Sequence, residues 1–186
     1  MKEQGVSIFW FRRDLRLEDN VGLFHALQSQ YPVIPLFIFD EDILDSLPKN
    51  DARVGFIHET LFGIDTKLKK IGSSLLVKKG KIVEVWRQLI QEYEIKEVFW
   101  NKDHEPYAIT RDSEICALLT TKQIQFFLFK DQVIFEENEI TKADGLPYTV
   151  YTHYKNKWLE KYQSIAPVFE YDTIEKLSNF CEINFA

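Results

Sequence analysis

An α/β fold is predicted for this chain, a doubly wound sheet of five parallel strands with helices on both faces. Three observations predict it. Five short apolar runs recur before residue 130, rich in branched and aromatic residues with little polar alternation, as strands covered on both faces require. Segments with apolar residues at spacings of three and four lie between them, the signature of helices packed by one face. The order strand, helix, strand, helix holds throughout, and right-handed crossovers then put the ligand crevice beyond the carboxyl ends of the strands.

The first strand, Val6 to Phe11, ends abruptly in the charged block Arg12-Arg13-Asp14-Leu15-Arg16-Leu17-Glu18-Asp19-Asn20. A helix from Val21 to Leu27 follows, capped by Asp19 or Asn20. The second strand is Val33 to Phe39. Val54, Ile57, Leu61, Ile64, Leu68 and Ile71 mark the clearest helix; Lys67, Lys69 and Lys70 suit the negative end of its dipole, and Gly72 supplies a stop. Ser74 to Val77 reads as the third strand, and Ile82, Val85, Trp86, Leu89, Ile90 and Tyr93 as the next helix. Glu97 to Trp100 is the fourth strand. A helix from about Pro106 to Thr121, with proline tolerated in its first turn, leads to the fifth strand, Ile124 to Phe129. Lys130 to Tyr148 reads as loop and connector, Tyr151 to Tyr162 as a last helical segment, and Ala166-Pro167 opens a polar tail. The organisation expected is an α/β domain over 1–130, then a connector and helical segment over 131–186.

A length of 186 residues suits one domain with a real core. With 45% hydrophobic and 28% charged residues the composition is that of a globular protein, which excludes a disordered or repetitive chain. The net charge of -6 repels a phosphate backbone, so contact with nucleic acid requires a local patch or another domain. Cys116 and Cys181 lack metal-ligand spacing, and a reduced cytoplasmic setting fits them. No signal peptide opens the chain, and no apolar run reaches the roughly 18 residues of a membrane helix.

A dinucleotide site would need a glycine-rich turn after the first strand, where Arg12 to Arg16 stand instead. The Lys79-Gly80-Lys81 pair is too small to serve as a phosphate loop. Nicotinamide redox chemistry and P-loop hydrolysis are therefore disfavoured, and no G-x-S-x-G nucleophile motif exists. His25, His58, His104 and His153 are scattered without metal-ligand spacing. Trp10, Trp86, Trp100 and Trp158 fall within predicted strands and helices, where packing is the default. The charged block has two readings: Arg13, Asp14 and Arg16 pair among themselves, or Arg12, Arg13 and Arg16 bind an anion or dock a neighbouring domain. Asn101, Asp103 and Glu105 fall at the carboxyl edge of the sheet, and Phe37, Ile38, Phe39 and Asp40 reach the same edge, with Arg53 opening the next helix nearby. An aromatic wall with a few converging polar groups suits a flat heteroaromatic ligand. Helix capping and turn chemistry is the competing reading for Asp103 and Glu105.

The elements Arg12-x-Asp14-Leu15-Arg16-x-x-Asp19-Asn20, Ala52-Arg53, Gly72-Ser-Ser-Leu-Leu, Asn101-x-x-x-Glu105-Pro-Tyr107, Arg111-Asp112 and Pro147-Tyr-x-Val-Tyr-Thr152 occur in one order across most of the chain. In this it resembles the amino-terminal domain of the photolyase/cryptochrome family; His153, where many relatives carry proline, is a departure. The resemblance implies a Rossmann-like domain holding an antenna chromophore, followed by a helical carboxyl-terminal domain that binds FAD and repairs pyrimidine dimers in damaged DNA by electron transfer. This chain ends before any flavin-binding motif, so the fragment is not expected to be catalytic alone. By position the resemblance carries an antenna role to Phe37, Ile38, Asp40, Arg53, Asn101, Asp103 and Glu105. Tyr107-Ala108 stand where folate-binding members place Asn-Glu, so a deazaflavin or FMN is expected before methenyltetrahydrofolate. The implied partners are its own FAD-binding domain and, through the full-length protein, damaged DNA, with no membrane. The same domain also serves cryptochrome-type photosensors, and a free-standing nucleotide-binding module is a further alternative.

Overall fold

The structure is a computed structural model that describes residues 5–165 and 170–185, apart from the side chains of Ile174 and Glu175. The expectation for Ala166-Pro167 lies outside the described residues. Five strands form one sheet: β1 (Val6–Phe11), β2 (Val33–Asp40), β3 (Leu76–Gly80), β4 (Ile95–Asn101) and β5 (Gln125–Phe129). Every neighbouring pair is parallel and the order is β3-β2-β1-β4-β5. The connections run outward from β1 to β3, then cross back to β4. The order therefore reverses between β1 and β4, the position where open α/β sheets form their crevice.

Alternation along the strands sorts the core into two layers, because successive side chains point to opposite faces. Phe9 and Phe11 of β1, Phe37 and Phe39 of β2 and Phe99 of β4 pack on one face against Leu23 and Ala26 of α1 (Val21–Ala26) and Leu61, Ile64 and Leu68 of α3 (Ala52–Lys69). Ile8, Trp10, Ile34, Leu36, Ile38, Val98 and Trp100 take the other, against Val85, Trp86 and Leu89 of α4 (Ile82–Glu92) and Ile115 and Leu119 of α5 (Pro106–Thr121). One layer is phenylalanine-rich; the other is aliphatic around three tryptophans.

The third strand begins two residues later than its apolar run suggests. Ser73 and Ser74 are buried on the approach, and the Leu75 N–H donates to Asp65 Oδ1 at 2.9 Å instead of entering the ladder. The strand continues through Lys78 and Lys79, charges that suit a sheet edge. A four-residue helix, α2 (Glu41–Leu44), was not expected; Asp40 starts it by accepting the Asp42 N–H at 3.1 Å. Helix α3 ends at Lys69, and Gly72, with φ +81°, makes the stop the sequence predicts, closed by the Ser73 N–H on the Leu68 carbonyl and the Gly72 N–H on the Lys69 carbonyl. Ile71 falls beyond that helix and is exposed, so it leaves the apolar stripe on which its spacing placed it.

The chain divides into two compact units, one comprising the described residues to Asp131 and from Tyr171 onward, the other lying between Gln132 and Glu170. In the first, a 3-10 turn (Ile174–Asn179) brings Phe180 beside Val33, and the Cys181 N–H donates to the Val33 carbonyl at 2.8 Å. In the second, α6 (Tyr151–Ser164) buries no residue fully, although Trp158 stacks on Tyr162 at 5.1 Å and meets the edge of Phe135 at 5.3 Å. Val150, Tyr151, Tyr154, Leu159, Tyr162 and Ile165 all stay exposed there. Among the described residues no helix is long and apolar enough to cross a membrane.

Candidate functional site

A cavity of about 310 Å³ opens beyond the carboxyl ends of β1, β2 and β4. Its floor and walls are apolar, from Phe37 and Phe39 of β2, Leu44 of α2 and Val54 and Ile57 of α3. Arg12, Arg13, Arg53 and Arg111 stand on its polar side with Asp40, Asp103 and Glu105. This is the composition of a small-molecule pocket, a mostly apolar concavity with a few placed polar groups.

Six of the seven residues expected from the sequence line this cavity: Phe37, Ile38, Asp40, Arg53, Asp103 and Glu105. Asn101 does not. Its side chain is buried, accepts the Gly22 N–H at 2.8 Å, and donates to Asp14 at 2.5 Å and Asn20 at 2.8 Å. It ties the end of β4 to the loop after β1 and to the start of α1. Gly22 must be glycine for this, since a β-carbon there would stand 2.6 Å from Asn101 Oδ1.

The cations of the charged block after β1 take their ion-pair partners from outside it, although Asp14 accepts the Arg12 N–H and the Arg16 guanidinium bonds the Asp19 carbonyl. Arg12 is buried and sends Nη1 to both oxygens of Asp112 at 2.5 and 2.7 Å, while Nη2 bonds the Asn101 carbonyl. Burial lowers the Arg12 pKa, opposed by the adjacent Asp112. Arg16 pairs with Asp131 at 2.8 Å, and Asp14 accepts amide donors from Asn20 and Asn101. Asn20 is the cap, accepting the Leu23 N–H at 3.1 Å. Arg13 alone turns to the cavity mouth, where it bonds Glu105 at 2.6 Å and lies 3.8 Å from Asp103; the Glu105 hydrogen bond raises its pKa.

The remaining polar groups also have internal partners. Asp40 accepts the Tyr107 hydroxyl at 2.7 Å, and burial followed by this bond pushes the phenol pKa up. Asp103 accepts the Glu105 N–H at 3.2 Å. Arg53 forks onto Asp51 at 2.9 and 2.6 Å, which holds the Asp51 carboxyl at about 2. Tyr107, Arg111 and Trp10 line the cavity without having been expected as ligand residues, and Arg12 lines it as one of the residues expected to bind an anion or dock a domain. Tyr107 and Arg111 are four apart at the start of α5, directly after Asp103 and Glu105, and that spacing was the available signal.

An open parallel sheet with helices on both faces and a cavity beyond its strand ends defines a Rossmann-like α/β domain. The DNA photolyase family model matches residues 7–173, and the chain belongs to that family. A deoxyribodipyrimidine photo-lyase of Synechococcus sp. is 36% identical over 151 residues, 81% of this chain and 31% of the relative. The crystal structure of a bacterial class III photolyase from Agrobacterium tumefaciens matches with a TM-score of 0.79 at 28% identity, over 92% of this chain and 34% of that one. That of an archaeal photolyase from Sulfolobus tokodaii with two FAD molecules matches at 0.67 and 32% identity, over 81% and 34%. The chain spans about a third of the length of these relatives.

Proposed function

We propose that this chain is the antenna module of a light-driven DNA photolyase, in which the cavity beyond β1, β2 and β4 holds a flat heteroaromatic chromophore. The observation that carries the reading is the cavity itself, about 310 Å³, with an apolar wall from Phe37 to Phe39 facing a polar side of arginines and carboxylates. A tricyclic ring suits the wall; ring carbonyls and side-chain hydroxyls or a phosphate suit Arg13, Arg53, Asp103 and Glu105. A deazaflavin or FMN is preferred to methenyltetrahydrofolate, because Tyr107 engages Asp40 instead of offering a free amide grip. The archaeal relative with two FAD molecules is described as implying a novel light-harvesting cofactor, which agrees with a flavin-type antenna here.

The exposed apolar residues of α6 fit an interface with an FAD-binding domain of the full-length protein, which would carry the repair of pyrimidine dimers in DNA. The net charge of -6 is consistent with leaving the DNA contact to that domain. The free thiols Cys116 and Cys181 agree with a reduced cytoplasmic setting.

The test is an absorption and fluorescence titration of the protein with a deazaflavin, FMN and methenyltetrahydrofolate, wild type beside an Asp103→Ala, Glu105→Ala double variant. Binding of one chromophore, weakened in the variant, is expected. No binding of any of the three to the folded wild type would overturn the reading.

A further inference from the structure

An antenna works only while its excited state survives. Flat heteroaromatic rings of the flavin type become strong one-electron oxidants on excitation, and indoles and phenols at contact distance quench them. An electron passes from the side-chain ring to the excited ligand and then returns, so nothing is consumed and the absorbed energy is lost. Among the residues lining the cavity, Trp10 and Tyr107 are the rings that can supply that electron. Trp10 is 1% exposed, so little water screens it. For Tyr107 the phenol proton has an acceptor ready, Asp40 at 2.7 Å, and would move there with the electron's departure and back on its return.

Both rings carry a guanidinium. The Arg111 Cζ lies 5.1 Å from the Trp10 ring centroid and 5.8 Å from that of Tyr107, and Arg12 stands 5.3 Å from Trp10. A cation over an aromatic face stabilises the neutral ring; it also repels the indole radical cation that Trp10 becomes on losing an electron, whereas at Tyr107, whose proton leaves with the electron, the stabilisation of the neutral ring is what counts. Guanidinium is the cation for this purpose, since it stays protonated when buried. Pairing with Asp112 does not account for Arg111: Arg12 already gives that carboxylate two bonds at 2.5 and 2.7 Å, and Trp100 Nε1 adds a third at 3.1 Å. Arg111 reaches Asp112 only at 3.2 and 3.3 Å, and two guanidiniums share one carboxylate. The other buried carboxylates nearby are also engaged, Asp14 by the amides of Asn20 and Asn101 and Asp40 by the Tyr107 hydroxyl.

We infer that Arg111, assisted at Trp10 by Arg12, keeps the cavity's indole and phenol from quenching a photoexcited ligand. Arg111 is a positioning residue of the excited state, acting through Trp10 and Tyr107. The inference rests on the chromophore reading above and goes beyond it.

The test is the excited-state lifetime of bound FMN, or of the deazaflavin if that alone binds, read by time-resolved fluorescence at saturating ligand so that changes in affinity drop out. Arg111→Met should shorten the lifetime about tenfold, since the quenching rate depends exponentially on a barrier the nearby charge raises. Arg111→Lys should keep part of it, and more as the pH is lowered, since a buried ammonium gives up its proton more readily than a guanidinium. Restoring it should require Trp10→Phe and Tyr107→Phe in the Arg111→Met background, the single combinations showing which ring dominates. Arg111→Gln, which keeps polar contact with Asp112 without the charge, serves if the apolar variant does not fold. An unchanged lifetime in the uncharged variant at demonstrated occupancy would overturn the inference while leaving the antenna reading intact, as would shortening that persists without both rings. Failure of the wild type to bind any chromophore overturns both.

Discussion

Asn101→Ala separates a residue that holds the site together from residues that face its ligand. The wild-type side chain makes three buried bonds, to the Gly22 N–H, to Asp14 and to Asn20. Truncation leaves the Gly22 N–H without its acceptor, worth about 1–3 kcal/mol, and removes a donor to a buried carboxylate, worth about 1.5–3 kcal/mol. The terms share neighbours and do not simply add, so a loss of about 3–5 kcal/mol is expected, a large share of a typical domain's stability. In urea unfolding with a slope near 2 kcal/mol/M the midpoint should fall by about 2 M at unchanged slope. Glu105→Ala is the control. Its side chain is 65% exposed and its pair with Arg13 lies at the surface, so the loss should stay below about 1 kcal/mol while chromophore affinity falls. An Asn101→Ala midpoint within about 0.5 M of wild type would refute the reasoning, because the bridge between β4 and α1 would then contribute little.

Gly22→Ala should lower the thermal midpoint in spite of alanine's better helix propensity, since its β-carbon would meet Asn101 Oδ1 at 2.6 Å and Phe9 at 3.0 Å; a destabilisation of about 1–3 kcal/mol is expected, and a raised midpoint would contradict the close approach. Asp112→Asn leaves the Arg12 guanidinium, whose side chain is 6% exposed, without its counter-charge, and should cost about 3–5 kcal/mol by denaturant titration; a neutral result would show that the pair is not buried in solution. Burial pushes the His25 imidazole below its ordinary value of 6.5, so the unfolded chain binds more protons just below that pH and stability falls as the solution is acidified. An NMR titration midpoint for His25 at or above 6.5 would contradict its packing against Phe129 at 4.5 Å.

The sheet was legible because its inner strands β2, β1 and β4 are largely covered on both faces and so read as apolar runs, and β1 appears between its expected residues. The polar edge strand β3 was the least legible in extent, since Lys78 and Lys79 carry no signal of burial. Helix α2, at four residues, is too short to display a period. The ion pairs escaped prediction for a different reason: Arg12 and Asp112 are 100 residues apart, and only the assembled sheet brings them together. Asn101 lies outside the cavity because of which helix covers its strand, a matter of tertiary packing. Phe99 packs on the α1 and α3 face, and a residue two further along the same strand shares that face; α1 covers β4 there and its Gly22 N–H meets Asn101, whereas the cavity's part of the same face lies at β2, with Phe37 and Phe39 against Val54 and Ile57 of α3. The packing of Phe180 beside Val33 was hidden in a tail whose apolar residues are too sparse to show a pattern.

Every polar group proposed to grip the chromophore already has a partner inside the protein, and this constrains how binding can proceed. A ligand gains from a polar contact here only if it replaces an existing bond by a better one, so net affinity must come chiefly from covering the wall of Phe37, Phe39, Val54 and Ile57. The partners differ in what they cost to open. The Arg13–Glu105 and Arg53–Asp51 pairs have cations 58% and 71% exposed, and exposed pairs contribute little, so the mouth can exchange them at little loss. Asp40 is different, since it is buried and caps α2 while accepting the Tyr107 hydroxyl, so diverting it would loosen a helix start as well. Polar substituents of a chromophore should therefore engage the mouth, at Arg13, Arg53 and Glu105, and its ring system should lie inward, against the phenylalanines and within reach of the arginine-covered rings of Trp10 and Tyr107.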